Sequence, residues 1–373
     1  MLILRHPAGQ ENFRPEGGRR VSTGGRIGFT KLKERFFMLK LGIIGTHIIT
    51  DQMLDAAKTT GRYQLTTVYS RTMARAEEFG KPYGATAFFD SLEDFFDEGD
   101  FDVVYIASPN SLHYEQVRLA IENDKFIILE KPAFVNPEEF SRIESLLAAH
   151  PKARLVEAAR HIHTGLFKAA QKQFAQMQHH QGATITVMKY SSRYDQVLAD
   201  DKPYPNIFTK EFAGGALMDL GVYAVYGAVT MYGMPNSVVY FPTMAKTGVD
   251  TKGVAILTYD GFSVTLNIGK TSNSHLVTEY YGLKDTLVFD SIFDTTKVTY
   301  YDENKTAHAI EAPYFENSMV DELNDFADLF ENPSDPEQMK HYQAWLALSR
   351  DVNTVMFDLR QSADYTFPAD MNR

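Results

Sequence analysis

The sequence has 373 residues, of which 44% are hydrophobic, 23% are charged and none is cysteine. This is the composition of an ordinary globular protein of two or three domains, so disorder throughout, disulfide scaffolds and thiolate metal sites are excluded. The net charge of −11 argues against non-specific binding to nucleic acid or anionic membranes, and no apolar stretch is long enough to span a bilayer. We expect a cytoplasmic protein that binds a small molecule, with no nucleic-acid or membrane partner.

The first 37 residues differ from the rest of the chain. They are rich in glycine, arginine and proline and carry a net charge of +5, which leaves −16 for the other 336 residues. Arg19-Arg20 resembles a twin-arginine export signal, but the apolar stretch that such a signal requires does not follow it. Because Met38 directly precedes an apolar strand, we interpret residues 1–37 as a disordered or non-native extension.

Residues 38–158 alternate between short apolar runs and helical patterns. The predicted strands are Leu41–Ile44, Leu65–Tyr69, Val103–Ala107, Phe126–Leu129 and Leu155–Glu157, and the predicted helices are 48–60, 72–80, 91–96, 111–123 and 137–149. Such alternation is typical of right-handed βαβ units in a doubly wound parallel sheet. Since ligands bind beyond the carboxyl ends of such strands, functional residues are expected there.

The pattern changes after about residue 160. An amphipathic helix is predicted over Thr164–Gln178, and Asp260-Gly261 is typical of a β-hairpin turn. The predicted strands are 183–194, 236–242, 253–260, 262–270, 275–281, 285–290, 297–302 and 306–311, and helices at 318–331 and 336–360 close the chain. We therefore predict a second domain over residues 159–373, of the α+β class, built on a large and mostly antiparallel open sheet.

The turn after the first predicted strand is the first candidate binding site. A dinucleotide fingerprint places three small residues there, so that the backbone can approach a pyrophosphate at a helix N-terminus. Only Gly45 fits, because His47 and Thr50 occupy the second and third positions. In its βαβ context the turn still predicts dinucleotide binding by Gly45, Thr46, His47 and Ile48. His47 would either push the pyrophosphate outward or contact its phosphates.

The end of the second predicted strand bears on the type of cofactor. An acidic residue at this place would bind the ribose 2′-hydroxyl of NAD, and none is present. Ser70 and Arg71 instead offer a hydroxyl and a guanidinium suited to a 2′-phosphate. A surface arginine at the start of a helix would explain the same residues. We favour NADP, with NAD as the other possibility.

Two later strand ends and one glycine-rich segment carry further polar residues. Ser108, Asn110 and His113 follow Val103–Ala107 and fit either a nicotinamide riboside site or a plain turn with a helix cap. In Glu130-Lys131-Pro132 the proline favours extended backbone at Lys131, whose ammonium should enter the crevice, although a solvated lysine is an equal alternative.

The glycine-rich segment is Gly214-Gly215-Ala216-Leu217-Met218-Asp219-Leu220-Gly221-Val222-Tyr223. Asp219 and Tyr223 are four residues apart, so a carboxylate and a phenol share one helix face. Gly221 leaves room for a ligand at that end of the helix. A capping aspartate and a core tyrosine would give the same pattern.

In this order, the motifs Gly42-Ile43-Ile44-Gly45-Thr46, Ser108-Pro109-Asn110, Glu130-Lys131-Pro132 and Gly214–Tyr223 resemble the glucose–fructose oxidoreductase / inositol dehydrogenase (Gfo/Idh/MocA) family over residues 38–373. The resemblance implies a Rossmann domain, then a domain whose open sheet packs between subunits of a homodimer or homotetramer. It also implies that Lys131 is catalytic. Tyr223 replaces the histidine of many members and is similar to the acid/base of the dihydrodiol dehydrogenase and glucose–fructose oxidoreductase branch, which tends to favour NADP. The predicted cofactor-binding residues are Gly45, Thr46, His47, Ile48, Ser70, Arg71, Ser108, Asn110, His113, Glu130 and Lys131.

Several histidines and one arginine remain. From the family's substrate-facing turn we expect Arg160 and His163 near the pocket, with Asp219 as a further substrate-binding residue. His161-Ile162-His163 and His179-His180 could suggest a metal, but no carboxylate lies at ligand spacing. We expect solvated or hydrogen-bonded histidines and no metal.

These residues together predict an enzyme that moves hydride between NADP(H) and a carbinol or carbonyl of a small polyhydroxylated substrate such as a sugar, polyol or cyclic diol. Tyr223 would exchange the hydroxyl proton, and the charge of Lys131 would favour the phenolate. Asp219, the third predicted catalytic residue, would anchor the helix turn or bind a second substrate hydroxyl. A dinucleotide-sensing regulator of the same fold and an NAD-dependent glycosidase are the alternatives.

Overall fold

The computed structural model describes residues 38–371, so the extension predicted over residues 1–37 lies outside the described residues. Within residues 38–371 the chain forms two β-sheets with helices packed against them. No helix of this range is both long and apolar enough to cross a membrane.

The first sheet has six parallel strands in the order β3-β2-β1-β4-β5-β6. Its strands are β1 (Leu39–Ile44), β2 (Tyr63–Tyr69), β3 (Ala87–Phe89), β4 (Val103–Ile106), β5 (Phe126–Glu130) and β6 (Arg154–Ala158). The helices between them are α1 (Ile48–Thr60), α2 (Met73–Gly80), α3 (Leu92–Glu98), α4 (His113–Glu122) and α5 (Pro137–Ala149). This is the Rossmann order, and it reverses between β1 and β4, where a crevice opens at the carboxyl ends.

The apolar runs of this sheet are explained by burial on both faces. Every residue of β4 is fully buried, because helices cover the sheet from each side. The edge strand β3 is half-buried and only three residues long, so its apolar run is shorter than those by which the other strands were predicted.

The second sheet has eight strands in the order β14-β13-β12-β11-β7-β10-β9-β8, and only β7 and β10 pair in parallel. Its strands are β7 (Gly182–Met188), β8 (Ser237–Met244), β9 (Asp250–Tyr259), β10 (Phe262–Gly269), β11 (Thr278–Tyr281), β12 (Thr286–Phe289), β13 (Val298–Tyr301) and β14 (Ala307–Ile310). Helices α6 (Arg160–His163), α7 (Gly165–Phe174), α8 (Tyr194–Leu198) and α9 (Val222–Tyr232) accompany it. The predicted fold class is confirmed. The strand predicted over 183–194 ends at Met188, because the chain turns there into α8.

Two C-terminal helices, α10 (Met319–Glu331) and α11 (Pro336–Ser362), complete the structure. Although they lie in the predicted second domain, α10 packs into the core of the first sheet. Phe330 stacks on Phe126 with ring centroids 4.8 Å apart, and the Tyr63 hydroxyl donates to the carbonyl of Leu323. Helix α11 contacts both β6 and α9, so it joins the two sheets on either side of the crevice.

Candidate active site

The turn between β1 and α1 depends on a glycine at its first position. Gly45 has a φ of +110°, and a Cβ there would lie 2.6 Å from the carbonyl oxygen of Ala107. Thr50 occupies the position of the usual third small residue, and its hydroxyl donates to the Gly45 carbonyl at 3.1 Å. The turn therefore keeps the close approach of a dinucleotide-binding turn, with a hydrogen bond in place of a third glycine.

His47 precedes α1 and lies among positive charges. Partial burial lowers the pKa of His47, and the charges of Arg193, Arg75 and Arg71 lower it further. The Arg75 guanidinium also donates to both the hydroxyl and the carbonyl of Thr46, at 3.1 and 2.6 Å. Two of these arginines lie at the start of α2 and the third precedes α8 in the second half of the chain. Their positive charges around this turn favour the binding of phosphate groups.

The turn after β4 joins the two halves of the crevice. The Ser108 hydroxyl donates to the side chain of Gln116 at 2.6 Å, which fixes it against α4. The Asn110 amide donates to the carbonyl of Ala213 at 2.9 Å, just before the glycine pair of the second half. Both residues lie at the crevice, where they were predicted to meet a cofactor.

Two of the residues predicted to bind the cofactor have side chains that face the protein interior. His113 is completely buried, and its ring nitrogens lie 3.1 Å from the carbonyl of Pro132 and 3.0 Å from that of Ser108. Glu130 is also buried, and its carboxylate accepts a hydrogen bond of 2.7 Å from Tyr105. Both polar groups form hydrogen bonds to residues in or directly after β4 and β5. Neither side chain is therefore directed at the crevice.

The structure brings the three predicted catalytic residues together. The Lys131 ammonium lies 4.9 Å from the centroid of the Tyr223 ring. It also donates to the carbonyl of Asp219 at 3.2 Å and lies 3.4 Å from the Asp219 carboxylate. The exposed fraction of Lys131 is 13% for the side chain and that of Tyr223 is 7%, so both groups are largely withdrawn from water.

The Lys131 and Asp219 side chains are both charged in this setting. Burial lowers the pKa of Lys131, but the negative charge that Tyr223 carries when deprotonated and the charge of Asp219 outweigh this effect, and the pKa is raised. Burial acts to raise the pKa of Asp219, but the ammonium groups of Lys270 and Lys131 lower it well below its usual range. The site therefore holds a stable ammonium beside the Tyr223 phenol ring.

The segment after β6 contributes two residues beside Tyr223 and one that points away. Burial lowers the pKa of Arg160, but the charges of nearby groups, Tyr223 and several carboxylates among them, raise it overall; the role of Arg160 in substrate binding stays a prediction. The His161 ring lies 5.0 Å from the Tyr223 ring, and burial and the charge of Arg160 lower its pKa to about 3. His163 contacts Asp325 at 2.7 Å inside the first core, so its predicted place near the pocket is not supported.

Two site residues were missed in the sequence. Lys270, directly after β10, lies 2.8 Å from the Asp219 carboxylate. His161 was considered only as a metal ligand, whereas it packs against Tyr223. A lysine just after a strand of the second sheet carries no motif, and only the pairing of β10 with its two neighbouring strands places it here.

A cavity of about 370 Å³ adjoins the site at the ends of β7 and β12. Phe293 lines it, and the Phe293 ring is 6.0 Å from the Tyr223 ring. The rest of the lining is mostly hydroxyl, amide and charged groups, and it comprises Thr186, Met188, Lys189, Asn273, Ser274, His275, Leu276, Asp290, Ser291 and Asp294.

Comparison with known proteins agrees with this geometry. The family described as "Oxidoreductase family, NAD-binding Rossmann fold" matches residues 39–158, and the GFO/IDH/MocA C-terminal domain matches residues 174–288. An uncharacterized oxidoreductase, YgjR of Escherichia coli, is 32% identical over 89% of this chain and 99% of its own. The scyllo-inositol 2-dehydrogenase (NADP(+)) IolU of Bacillus subtilis is 32% identical with the same coverage.

Solved structures show the same fold. A levoglucosan dehydrogenase in complex with NADH and levoglucosan superposes with a TM-score of 0.75 at 17% identity, over 87% of this chain and 97% of the other. The predictions of the family and of an oxidoreductase are confirmed by these matches.

Proposed function

The chain belongs to the Gfo/Idh/MocA family of oxidoreductases, and from this premise we propose that it is an NADP(H)-dependent dehydrogenase or reductase. Its substrate is a small polyhydroxylated molecule that presents a CH–OH or carbonyl group. The observation that carries the proposal is the Lys131 ammonium 4.9 Å from the Tyr223 ring centroid, beyond the strand ends of a Rossmann sheet. The names of IolU and of the levoglucosan enzyme, both dehydrogenases of hydroxylated rings, support it.

The residues of the crevice fit a nicotinamide dinucleotide. The Gly45–Ile48 turn, with its close backbone approach and its arginines, would hold the pyrophosphate. Ser70 and Arg71 follow β2 and would bind a 2′-phosphate, which supports NADP over NAD. When bound, this cofactor supplies the hydride acceptor or donor at its nicotinamide ring.

Tyr223 and Lys131 would handle the proton and the charge on the substrate oxygen. The phenol exchanges a proton with that oxygen, while the ammonium stabilises negative charge on either group. At about 4 Å and an effective dielectric constant near 20, one ammonium is worth about 4 kcal/mol to such a charge before desolvation is counted. Asp219 holds the ammonium in place through its own carbonyl and carboxylate.

The cavity beside Phe293 would receive the remainder of the substrate. Its lining of hydroxyls, an amide and charges of both signs can donate and accept hydrogen bonds at several points. The aromatic ring of Phe293 adds an apolar surface between this lining and Tyr223. A molecule with several hydroxyl groups on a ring matches this lining better than an apolar one.

The open face of the second sheet supports a homo-oligomer. Phe241 of β8 and Val254 of β9 are paired across neighbouring strands, and their exposed fractions are 60% and 39%. Adjacent exposed apolar side chains on a broad sheet are typical of an interface between subunits. We therefore propose a homodimer or homotetramer in which this face packs against its counterpart.

The function is tested by incubating the protein with NADP⁺ or NAD⁺ and a panel of polyols that includes scyllo-inositol, D-xylose and levoglucosan, with absorbance at 340 nm as the readout. Cofactor binding is measured in parallel by fluorescence titration. We expect turnover of at least one polyol with at least a tenfold preference for NADP⁺ in kcat/KM. Tight cofactor binding without turnover of any polyol, or of the corresponding ketones with NADPH, would favour a sensor instead.

A further inference from the structure

Lys270 stands out among the charged groups near the site because it is almost completely buried. Its exposed fraction is 1%, and its ammonium lies 2.8 Å from the Asp219 carboxylate. The ammonium also donates to the carbonyl of Ile207 at 3.3 Å and lies 4.5 Å above the ring of Phe208. A buried ammonium is costly unless it is paired, so this position needs the Asp219 carboxylate.

The backbone of Lys270 is fixed on both sides. Its amide donates to the carbonyl of Thr251 at 2.8 Å, and its carbonyl accepts from the amide of Ser191 at 2.9 Å. The side chain therefore starts from a rigid point at the end of β10. The ammonium therefore lies close to Asp219 at the start of the glycine-rich helical segment. From there its charge also acts on the buried carboxyl of Asp250.

Asp219 divides its two carboxylate oxygens between two lysines. Oδ2 makes the direct ion pair with Lys270 at 2.8 Å, while Oδ1 stays 3.4 Å from Lys131. The carbonyl of Asp219 takes one further donor of Lys131 at 3.2 Å. Because Lys270 already neutralises the carboxylate, Lys131 keeps a loose contact with it and retains a donor for the crevice.

We infer that Lys270 is a positioning residue, which holds the Asp219 carboxylate off Lys131 so that the Lys131 ammonium stays free to act beside Tyr223. Without Lys270, the carboxylate would close on Lys131 as its sole partner. Together the two lysines and the Asp219 carboxylate carry a net positive charge. In a variant without Lys270, the remaining pair of Lys131 and Asp219 would be neutral. The expected effect on catalysis rests on the proposed function, whereas the expected movement of the Asp219 carboxylate does not.

The geometric test compares crystal structures of the unaltered protein and of Lys270→Met, which removes the ammonium and keeps an unbranched side chain only one atom shorter. We expect the distance between Asp219 Oδ1 and Lys131 Nζ to shorten from 3.4 Å to about 2.8 Å, the length of a direct ion pair. Lys270→Gln keeps a donor for the Ile207 carbonyl and is the second variant if the first does not fold. An Asp219 carboxylate that keeps its place in both variants would overturn the inference.

The catalytic test measures kcat, KM and the pH profile of polyol oxidation for the same variants. We expect kcat to fall about tenfold with KM within about twofold, because a charge near the reacting groups is lost rather than a substrate contact. The pH midpoint of kcat should rise by about one unit. The charged and titratable groups near Tyr223 that could set this midpoint are Lys131 from the end of β5, Tyr105 from β4, Arg160 and His161 from α6, and Asp219 one turn earlier in the same helical segment.

Lys125→Met is the matched control. The Lys125 ammonium donates to the carbonyl of Phe101 at 2.9 Å and lies 4.5 Å from the centroid of the Phe101 ring. Lys125 precedes β5, so it lies at the opposite end of that strand from Lys131. We expect it to leave the pH midpoint unchanged. A purely structural role for Lys270 would lower stability and kcat without moving the midpoint. Absence of turnover in the unaltered protein would instead count against the proposed function, and the crystal comparison would still decide this inference.

Discussion

Glu157 of β6 is a buried carboxyl that links the elements carrying Lys131 and Tyr223. It accepts hydrogen bonds from the amide of Ala133 at 3.0 Å and from the hydroxyl of Tyr226 at 2.6 Å, and it also accepts from the hydroxyl of Ser349. Burial raises the pKa of Glu157 to about 7, although these three hydrogen bonds oppose the rise. The residue therefore changes charge near neutral pH directly behind the site.

This titration makes stability depend on pH. The folded protein keeps the Glu157 proton up to about pH 7, while the unfolded chain releases it near the ordinary value of 4.5. The stabilisation is complete below the lower value and is lost as the pH rises to the higher one, a loss of about 3 kcal/mol. We expect Glu157→Gln to gain that much in unfolding free energy relative to the unaltered protein between pH 4.5 and 7.

The measurement is urea unfolding at several pH values, with the exposed Glu93→Gln as control. Other titrating groups are the same in both proteins and cancel in the difference. A difference that stays constant across this pH range would show that the Glu157 carboxyl ionises at its ordinary value.

At the level of single residues, the sequence predicts which charged side chains follow parallel strands. It does not show which polar side chains face the protein interior. Lys131 could be predicted because the end of a buried parallel strand must open on the crevice. In the sequence, His113 and His163 cannot be distinguished from histidines that bind a ligand. Only the packed structure shows that His113 contacts backbone carbonyls and that His163 contacts the Asp325 carboxylate.

The helix that carries Asp219 and Tyr223 begins at a glycine whose backbone conformation other residues rarely adopt. Gly215 has a φ of +120°, and a Cβ there would collide with the carboxylate of Asp250. That carboxylate accepts a hydrogen bond from the amide of Leu217 at 2.7 Å and so caps the start of the helical segment. The second glycine of the pair is thus explained by the close approach of a buried acid that no local motif reveals, whereas a Cβ at Gly214 would collide with the backbone of Ile207.

The start of this segment is tested by comparing Gly215→Ala with Gly233→Ala. Gly233 ends α9 with a φ of +77°, and a Cβ there would meet open space. Backbone strain of about 1–3 kcal/mol applies to both variants. We expect Gly215→Ala to lose more unfolding free energy than Gly233→Ala, and only Gly215→Ala to lose turnover, because the collision moves Asp219 and Tyr223.

Thermal unfolding and kcat are the two readouts for this pair of variants. Equal losses of stability together with equal turnover would show that the Asp250 contact does not set the position of the helix.

For whole elements, periodicity predicted long helices and buried strands well. Helices 48–60 and 137–149 were predicted with the bounds that α1 and α5 have. The turn of Leu217–Gly221, in contrast, is wound as a π-helix, a distortion that the spacing of apolar residues does not show. Lys270 was missed because its partner lies about 50 residues away and is reached only through sheet register.

At the scale of the whole molecule, the crevice lies between a parallel sheet that is covered on both faces and a second sheet with one open face. The class of each sheet could be predicted from its pattern of apolar residues and turns. The order of strands in the second sheet could not, because antiparallel pairing between distant segments leaves no local signal.

The proposed oligomer is tested by Phe241→Glu, which puts a charge on the open face. We expect this variant to dissociate in analytical ultracentrifugation, because an unpaired carboxylate would be buried in the interface. Leu283→Glu is the control, since Leu283 is 61% exposed in the turn between β11 and β12. An unchanged sedimentation coefficient for Phe241→Glu would place the subunit interface elsewhere.

In the proposed reaction the Tyr223 phenol exchanges the proton of the reacting hydroxyl. The most direct measurement is the single-turnover rate of polyol oxidation with NADP⁺ for Tyr223→Phe and for Tyr232→Phe, which alters a hydroxyl of the same helix bonded to the Gly182 carbonyl. We predict a rate 10²- to 10⁴-fold lower, on the order of a lost general acid/base, for Tyr223→Phe alone, with cofactor affinity unchanged. An unaltered rate in Tyr223→Phe would show that this phenol does not exchange the proton.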